Sequence, residues 1–156
     1  MENQLTMIDS DTVIKQSLYE RDFYKWTFQT ANLLRQGRFS EIDIDNVAEE
    51  IESMGISNKK ELISRLSVLI MHLLKWQYVV NMRSNSWIRT INTQRRELEL
   101  LFENSPSLKH DIEIFIEKAF NRAKADFERE TGISRKTLPE TCPYSVEQLT
   151  DDDFFA

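Results

Sequence analysis

The sequence predicts an all-α protein, a single helical bundle of about five main helices. Apolar residues recur three and four positions apart along most of the chain, which is the period of a helix buried on one side. Glycine and proline occur only three times each, and no proline interrupts a periodic segment. We expect one domain over residues 1–156, with residues 1–10 and 150–156 flexible.

The first predicted helix begins at Asp11 or Tyr19 and ends at Gln36. Gly37 follows it, where glycine takes the left-handed backbone that ends a helix. Its apolar positions form one inward face: Tyr19, Phe23, Trp26, Thr30 and Leu33.

The second predicted helix is short, from Asp45 to Met54, and we expect Gly55 to end it in the same way. Its expected inward face consists of Val47, Ile51 and Met54. The segment also carries three acids: Glu49, Glu50 and Glu52.

The third predicted helix, from about Asn58 to Val80, is the most apolar segment, and Ser57 suits its N-cap. Its main apolar seam alternates by four and three: Leu62, Leu66, Leu69, Leu73, Trp76 and Val80. Further apolar residues lie around it, and a helix that is apolar nearly all round is enclosed by others. We therefore place this helix near residues 58–80 at the centre of the bundle.

Two more helices are predicted, from about Ser86 to Asn104 and from about Leu108 to Thr131, where Gly132 follows. The tail beyond them is irregular, and its apolar residues are expected to pack back onto the bundle: Leu138, Tyr144, Val146, Leu149, Phe154 and Phe155.

Charge is distributed unevenly along the chain. From Leu62 to Arg96 there are six cations and no acid, although the whole chain carries 26 acids and 20 bases. Such a run either faces an anionic partner or is neutralised by other parts of the chain, and the net charge of −6 disfavours nucleic acid as a partner. We expect neutralisation near Arg65 or Arg95. The acids expected there are those of the second helix: Glu49, Glu50 and Glu52.

The single cysteine, Cys142, cannot form an intramolecular disulfide, which suits a reducing compartment. The N-terminal residues lack the features of a signal peptide. The most apolar stretch is interrupted by His72, Lys75 and Gln77, which makes it too polar to span a membrane. These features predict a cytoplasmic location without membrane attachment.

Metal and cofactor sites are not predicted. A di-iron bundle needs Glu-x-x-His on its helices, but residues 69 and 107, three before each histidine, are leucine and serine. Two histidines and one cysteine also make a zinc site improbable.

His72 lies in the middle of the most apolar helix, seven residues after Arg65. This spacing resembles the Arg/His pair of the HEPN ribonucleases, which would assist attack of a ribose 2′-hydroxyl on a phosphate. Leu66 follows Arg65, where that superfamily usually has a polar residue. The structural alternative, which we favour, is a buried His72 bonded to a carboxylate such as Glu50.

The fourth helix places Gln94 and Arg95 in or beside its apolar face, with Gln77 as an expected partner. A buried network that fixes helix register explains them, and the alternative is a small-anion pocket lined by His72, Gln94 and Arg95. The loop before this helix adds Arg83, which with Trp87 could contact single-stranded nucleic acid. A solvated loop explains it better, because the rest of the chain is acidic.

Several stretches carry a family resemblance: YERDFYKWTFQTANLL from residue 19, NVAEEIESMG at 46–55, RLSVLIMHLLKWQY at 65–78, RSNSWIRTINTQRR at 83–96 and CPYSVEQL near the end. Together they resemble the bacterial, largely cyanobacterial, domain-of-unknown-function family 29 over nearly the whole chain. The resemblance implies an all-α bundle and a soluble bacterial protein, and it implies no activity. It also keeps the residues in its motifs together as site candidates: Glu50, His72, Trp76, Arg83, Trp87, Gln94 and Arg95.

The sequence therefore predicts a non-enzymatic interaction or regulatory module that binds an unknown protein partner or associates with itself. The first alternative is a HEPN-like ribonuclease or toxin–antitoxin component using Arg65 and His72. The second alternative is a small-anion site near Arg95.

Overall fold

The computed structural model describes residues 16–156. Its helices are α1 Leu18–Arg21, α2 Phe23–Arg35, α3 Ile44–Tyr78, α4 Asn85–Asn104, α5 Ile112–Thr131 and α6 Val146–Thr150. No strand occurs within residues 16–156, and the predicted all-α class is confirmed. The expected flexibility of residues 1–10 and the helix start at Asp11 fall outside the described residues. None of the helices described is long and apolar enough to cross a membrane.

The chain divides into two compact units, Met1–Glu52 and Ser53–Ala156. Helix α3 contributes residues to both. The single domain over residues 1–156 stays a prediction.

In the first unit, the first predicted helix is broken in two at Asp22, whose backbone is non-helical (φ −152°, ψ 80°). Asp22 ends α1, and its carboxylate accepts a hydrogen bond from the backbone N–H of Lys25 (3.0 Å), which caps α2. Trp26 and Thr30 are buried as predicted, whereas Phe23 is 47% exposed. Gly37 has φ +69°, the predicted left-handed conformation after the helix.

The second and third predicted helices are one helix, α3, so the predicted end at Gly55 and the N-cap at Ser57 are wrong. The cap is Asp43, whose carboxylate accepts from the backbone N–H of Asn46 (3.2 Å). An interior glycine costs a helix only about 1 kcal/mol. No proline lies between Ile44 and Tyr78, so the helix continues through that position.

The predicted inward face of the short second helix is also wrong in part. Val47 is half-buried, but Ile51 is 59% exposed and Met54 is 62% exposed. The period identified an apolar stripe on this segment, but it could not tell which side of the helix would be covered.

In the second unit, the C-terminal part of α3 is the centre of the core, as predicted. Its buried residues run from Leu62 to Lys75. The other buried core residues come from α4, α5 and the tail: Ile91, Leu98, Phe102, Ile112, Phe115, Ile116, Ala119, Phe120, Ala123, Phe127, Leu138, Tyr144 and Leu149.

The C-terminal tail packs on this core, which confirms the prediction. Leu138, Tyr144 and Leu149 are buried, and Phe154 and Phe155 pack against the core residues. The flexibility expected for residues 150–156 stays a prediction. Helix α5 begins later than predicted because Pro106–Lys109 forms a separate 3-10 turn, and Gly132 ends α5 with φ +74°.

Candidate functional site

Arg95 is the most buried of the predicted site residues, with 3% of its surface exposed. It lies on the inward face of α4, and its guanidinium is directed at the tail. Its Nε donates to the Leu149 carbonyl (3.0 Å), and one terminal nitrogen donates to the carbonyls of Gln148 (3.1 Å) and Phe154 (2.8 Å). The other terminal nitrogen lies 3.5 Å from the Asp152 carbonyl oxygen.

These contacts give Arg95 a clear structural role. The Gln148 and Leu149 carbonyls lie in the last turn of α6, where helix carbonyls lack partners within the helix. The fork of the guanidinium supplies the missing donors. Burial lowers the pKa of Arg95, while the charges of Asp152 and Asp151 oppose that change. Most of its N–H donors are already bonded, which leaves little capacity for an added anion.

A cavity of about 580 Å³ lies beside Arg95, within the size range of small-molecule sites. Its lining combines apolar and charged side chains from α4, α5, α6 and the connections between them: Arg95, Glu99, Phe102, Glu103, Pro106, Lys109, Ile112, Val146, Thr150 and Asp152. The ammonium of Lys109 lies 5.1 Å from the centre of the Phe102 ring. With carboxylates at its edge and carbonyls around the guanidinium, the cavity is poorly suited to anions. The small-anion site stays a prediction.

Arg65 contacts acids from both ends of the acid-free run. Its side chain pairs with Glu61 (2.8 Å) and Glu97 (3.3 Å), which immediately precede and follow that run. It also donates to the Gln94 side-chain oxygen (3.4 Å), which is not the partner expected for Gln94. The prediction that Glu49, Glu50 or Glu52 would neutralise Arg65 is wrong, since the paired acids come from elsewhere.

Gln77, the partner expected for Gln94, instead accepts a hydrogen bond from the Tyr144 hydroxyl (2.8 Å). Burial raises the pKa of that hydroxyl. The Gln77 amide therefore holds the tail to the end of α3. Gln94 instead accepts the bond from Arg65, and the buried network that fixes helix register stays a prediction.

His72 is half-buried, and its Nδ1 lies 2.8 Å from the Val68 carbonyl oxygen. Because a carbonyl only accepts, Nδ1 carries the proton. Burial lowers the pKa of His72, and the hydrogen bond to Val68 partly opposes this. The expected bond between His72 and Glu50 is wrong. Glu50 instead accepts from the Tyr19 hydroxyl (2.5 Å) and raises the pKa of Tyr19 to about 12.

Arg83 and the tryptophans of the motif also have partners within the protein. Arg83 donates to the Trp76 carbonyl (2.8 Å), and its guanidinium lies 4.8 Å from the centre of the Trp76 ring. The Trp76 ring in turn lies 5.3 Å from the Phe155 ring, on the tail that Arg95 holds. Arg83, from the loop before α4, is thus part of the packing that docks the tail.

Lys75 is a buried charge that the sequence reasoning did not single out. Its ammonium pairs with Glu130 of α5 (2.8 Å) and lies 4.7 Å from the centre of the Trp87 ring. Only 11% of its side chain is exposed. The available signal was a lysine three residues after His72 in a run of leucines, where a buried charge needs a partner.

Within the second unit, the binding candidates His72, Arg83, Gln94 and Arg95 each bond to a different partner. Within the described residues, Glu50 contacts Tyr19, His72 contacts Val68, Arg83 contacts Trp76, Gln94 contacts Arg65 and Arg95 contacts the tail. The catalytic candidates Arg65 and His72 share no hydrogen bond within residues 16–156. The same part of the chain holds no group of three His, Cys, Asp or Glu residues suited to a metal ion.

The first unit exposes a pair of aromatic rings on α2. Tyr24 is 76% exposed and Phe28 is 62% exposed, with their ring centres 4.9 Å apart. Five more large apolar residues of this unit are exposed: Phe23, Leu34, Phe39, Ile44 and Ile51. We call these seven residues the exposed apolar surface. Single exposed apolar residues are routine on a protein surface, whereas two exposed rings in contact on one side of a helix, as Tyr24 and Phe28 are, mark a candidate interaction site.

The comparisons with curated proteins and with solved structures found no match. The comparison with family models found a match over residues 18–155, which is nearly the whole chain. The matched model includes α1 to α6 and every predicted site residue. The chain therefore belongs to the family described as Domain of unknown function DUF29.

Proposed function

We propose that this protein is a non-enzymatic interaction module that binds another protein chain through the exposed apolar surface. The observation that carries the proposal is the exposure of the Tyr24 and Phe28 rings on α2, whose centres lie 4.9 Å apart with the planes tilted by 57°. Trp26 and Thr30 are the buried residues of α2 and mark its inward side. The Tyr24 and Phe28 rings lie on the other side of the helix and form a second apolar side. A helix with apolar residues on two sides is usually packed on both.

The polar residues support the same proposal. Catalysis needs polar groups directed at a substrate, whereas the guanidinium of Arg95 and the side chain of Arg65 are bonded within the protein. A phosphate approaching Arg65 would meet the carboxylates of Glu61 and Glu97. These contacts favour an interaction role over the ribonuclease alternative.

The setting we propose is a bacterial cytoplasm. The family resemblance supports a bacterial source, and the lone Cys142 suits a reducing compartment. Burial raises the pKa of the Cys142 thiol to about 11, so it is not activated for redox or nucleophilic chemistry at neutral pH.

The proposal is tested by photo-crosslinking from position 24. Tyr24 is replaced by a photoreactive phenylalanine derivative, and Ile114, which is 56% exposed on α5, is replaced in a matched control protein. Both proteins are irradiated alone and in an extract of the source cells. We expect protein adducts from position 24 and few from position 114. Equal labelling at both positions, or no adduct from position 24 under either condition, would overturn the proposal.

A further inference from the structure

The first unit carries two apolar stripes of helical spacing. On α2, Tyr24 and Phe28 are followed by Ala31 at the next position of the same side. On the first part of α3, residues 44–52, Ile44 and Ile51 lie one heptad apart, with the exposed Ala48 between them. Both stripes have the four-and-three spacing with which one helix packs along another.

Charges of opposite sign accompany the two stripes. The cations Lys25 and Arg35 lie on α2, and the acids Asp45, Glu49 and Glu52 lie on the first part of α3. All five are exposed, and within residues 16–156 none of them takes part in an ion pair. The α2 stripe therefore matches a helix of the kind that begins α3, in charge as well as in spacing.

We propose that two copies of this chain associate by packing the α2 stripe of each copy against the α3 stripe of the other, an inference that rests on the proposed function. A two-fold axis makes both contacts at once, because such an interface is self-complementary. Pairing α2 with α2 would place the cations of the two copies together, and pairing α3 with α3 would do the same for the acids. The crossed arrangement is the one that joins opposite charges.

The available area is adequate for a dimer. With about 150–250 Å² for each large aromatic side chain, somewhat less for each aliphatic one, and the exposed fractions of Tyr24, Phe28, Ile44 and Ile51, the two stripes offer roughly 450 Å² of apolar surface. Apolar atoms make up a little over half of a typical interface. A standard interface buries about 800 Å² on each partner. The two stripes can therefore supply the apolar part of a dimer interface of standard size.

The test is sedimentation velocity of the purified full chain over a range of concentrations. We expect a monomer–dimer equilibrium that Phe28→Lys weakens about tenfold or more, since aromatic anchors dominate interfaces. The matched control is Ile114→Lys on α5, which is 56% exposed and should leave the equilibrium unchanged. Phe28 is itself 62% exposed, so its substitution should not disturb the fold, and circular dichroism checks this.

A charge exchange tests the crossed arrangement independently of Phe28. Lys25→Glu and Glu52→Lys, which lie beside the two stripes, should each weaken the dimer about threefold to tenfold, and the double variant should recover most of the loss. A monomeric wild type, a dimer that Phe28→Lys does not affect, or a double variant no better than the single ones would overturn the inference. A monomer that still forms adducts with other proteins from position 24 would leave the proposed function standing, whereas absence of any adduct would remove both.

Discussion

Arg95→Met removes the guanidinium that holds the C-terminal tail while keeping an unbranched apolar stem of similar length. The change breaks the three bonds to the carbonyls of Leu149, Gln148 and Phe154, at 3.0, 3.1 and 2.8 Å. It also removes the guanidinium that lies 5.7 Å from the centre of the Phe155 ring. We expect α6 and the residues after it to detach from the core of the second unit.

The size of the effect follows from these contacts. A hydrogen bond to a charged group contributes about 1.5–3 kcal/mol, so three bonds would suggest roughly 4.5–9 kcal/mol if they were additive. The tail can instead leave and hydrate its carbonyls, so the loss is limited to what docking of the tail contributes. We expect the free energy of unfolding to fall by about 3 kcal/mol. For Arg95→Lys we expect a smaller loss of unfolding free energy than for Arg95→Met, because an ammonium keeps the charge but lacks the forked donors of the guanidinium.

Urea unfolding measures the loss, and hydrogen exchange of the backbone amides in residues 146–155 reports whether the tail has detached. The control is Arg96→Met on the next position of α4, where the side chain is exposed. We expect less than about 0.5 kcal/mol from this surface change. If Arg95→Met cost no more than Arg96→Met, or left exchange in the tail unchanged, the role assigned to Arg95 would be refuted.

Four further predictions concern the glycines, Cys142, His72 and the ribonuclease alternative. Gly55→Ala should stabilise the protein by about 0.4–1 kcal/mol, because no atom lies within 4 Å of the added Cβ. Gly132→Ala should destabilise it, because the φ of Gly132 is +74°. Urea unfolding measures both changes in the free energy of unfolding, and changes of the same sign would contradict the assignment of Gly55 to a helix interior. Cys142, with its pKa raised to about 11, should react slowly with iodoacetamide at pH 8 and rapidly after unfolding in urea, and equal rates would contradict its burial. His72 has a lowered pKa, so the unfolded chain binds more protons, and stability should fall as pH drops through and below the ordinary histidine pKa of about 6.5. Urea unfolding at several pH values should show a weaker pH dependence for His72→Gln. An unchanged slope of stability against pH would contradict the lowered pKa of His72. Labelled RNA incubated with wild type and with His72→Ala should stay intact in both cases, because the acids around Arg65 disfavour a phosphate, and cleavage by the wild type alone would restore the ribonuclease interpretation.

The helical period determined the second unit well and the first unit less well. Leu62, Leu66 and Leu73 are buried where the seam of the third predicted helix placed them. Ile51 follows an equally regular period and is exposed. A period shows that a helix has an apolar side, but it does not show whether anything covers that side. The expectation that Gly55 would end a helix failed for a related reason, since a helix can include one interior glycine at modest cost.

The predicted site separated into independent contacts because its partners come from distant parts of the chain. The sequence showed that Arg95 was placed where an apolar residue was expected, and that was correct. It could not show that the partners would be backbone carbonyls, because every residue carries one and none is marked by its type. The same limit applies to Lys75, whose partner Glu130 lies 55 residues away.

Patterns along the chain were enough to predict the all-α class, the central helix, the return of the tail and membership of the DUF29 family. These depend on local period and on motif order, which one chain displays directly. The folded chain was needed to show that Glu61 and Glu97 neutralise Arg65, that Arg95 holds the tail, and that the stripes on α2 and α3 are exposed. Pairing and exposure depend on which distant segments meet, and a pattern along the chain carries no distances between them.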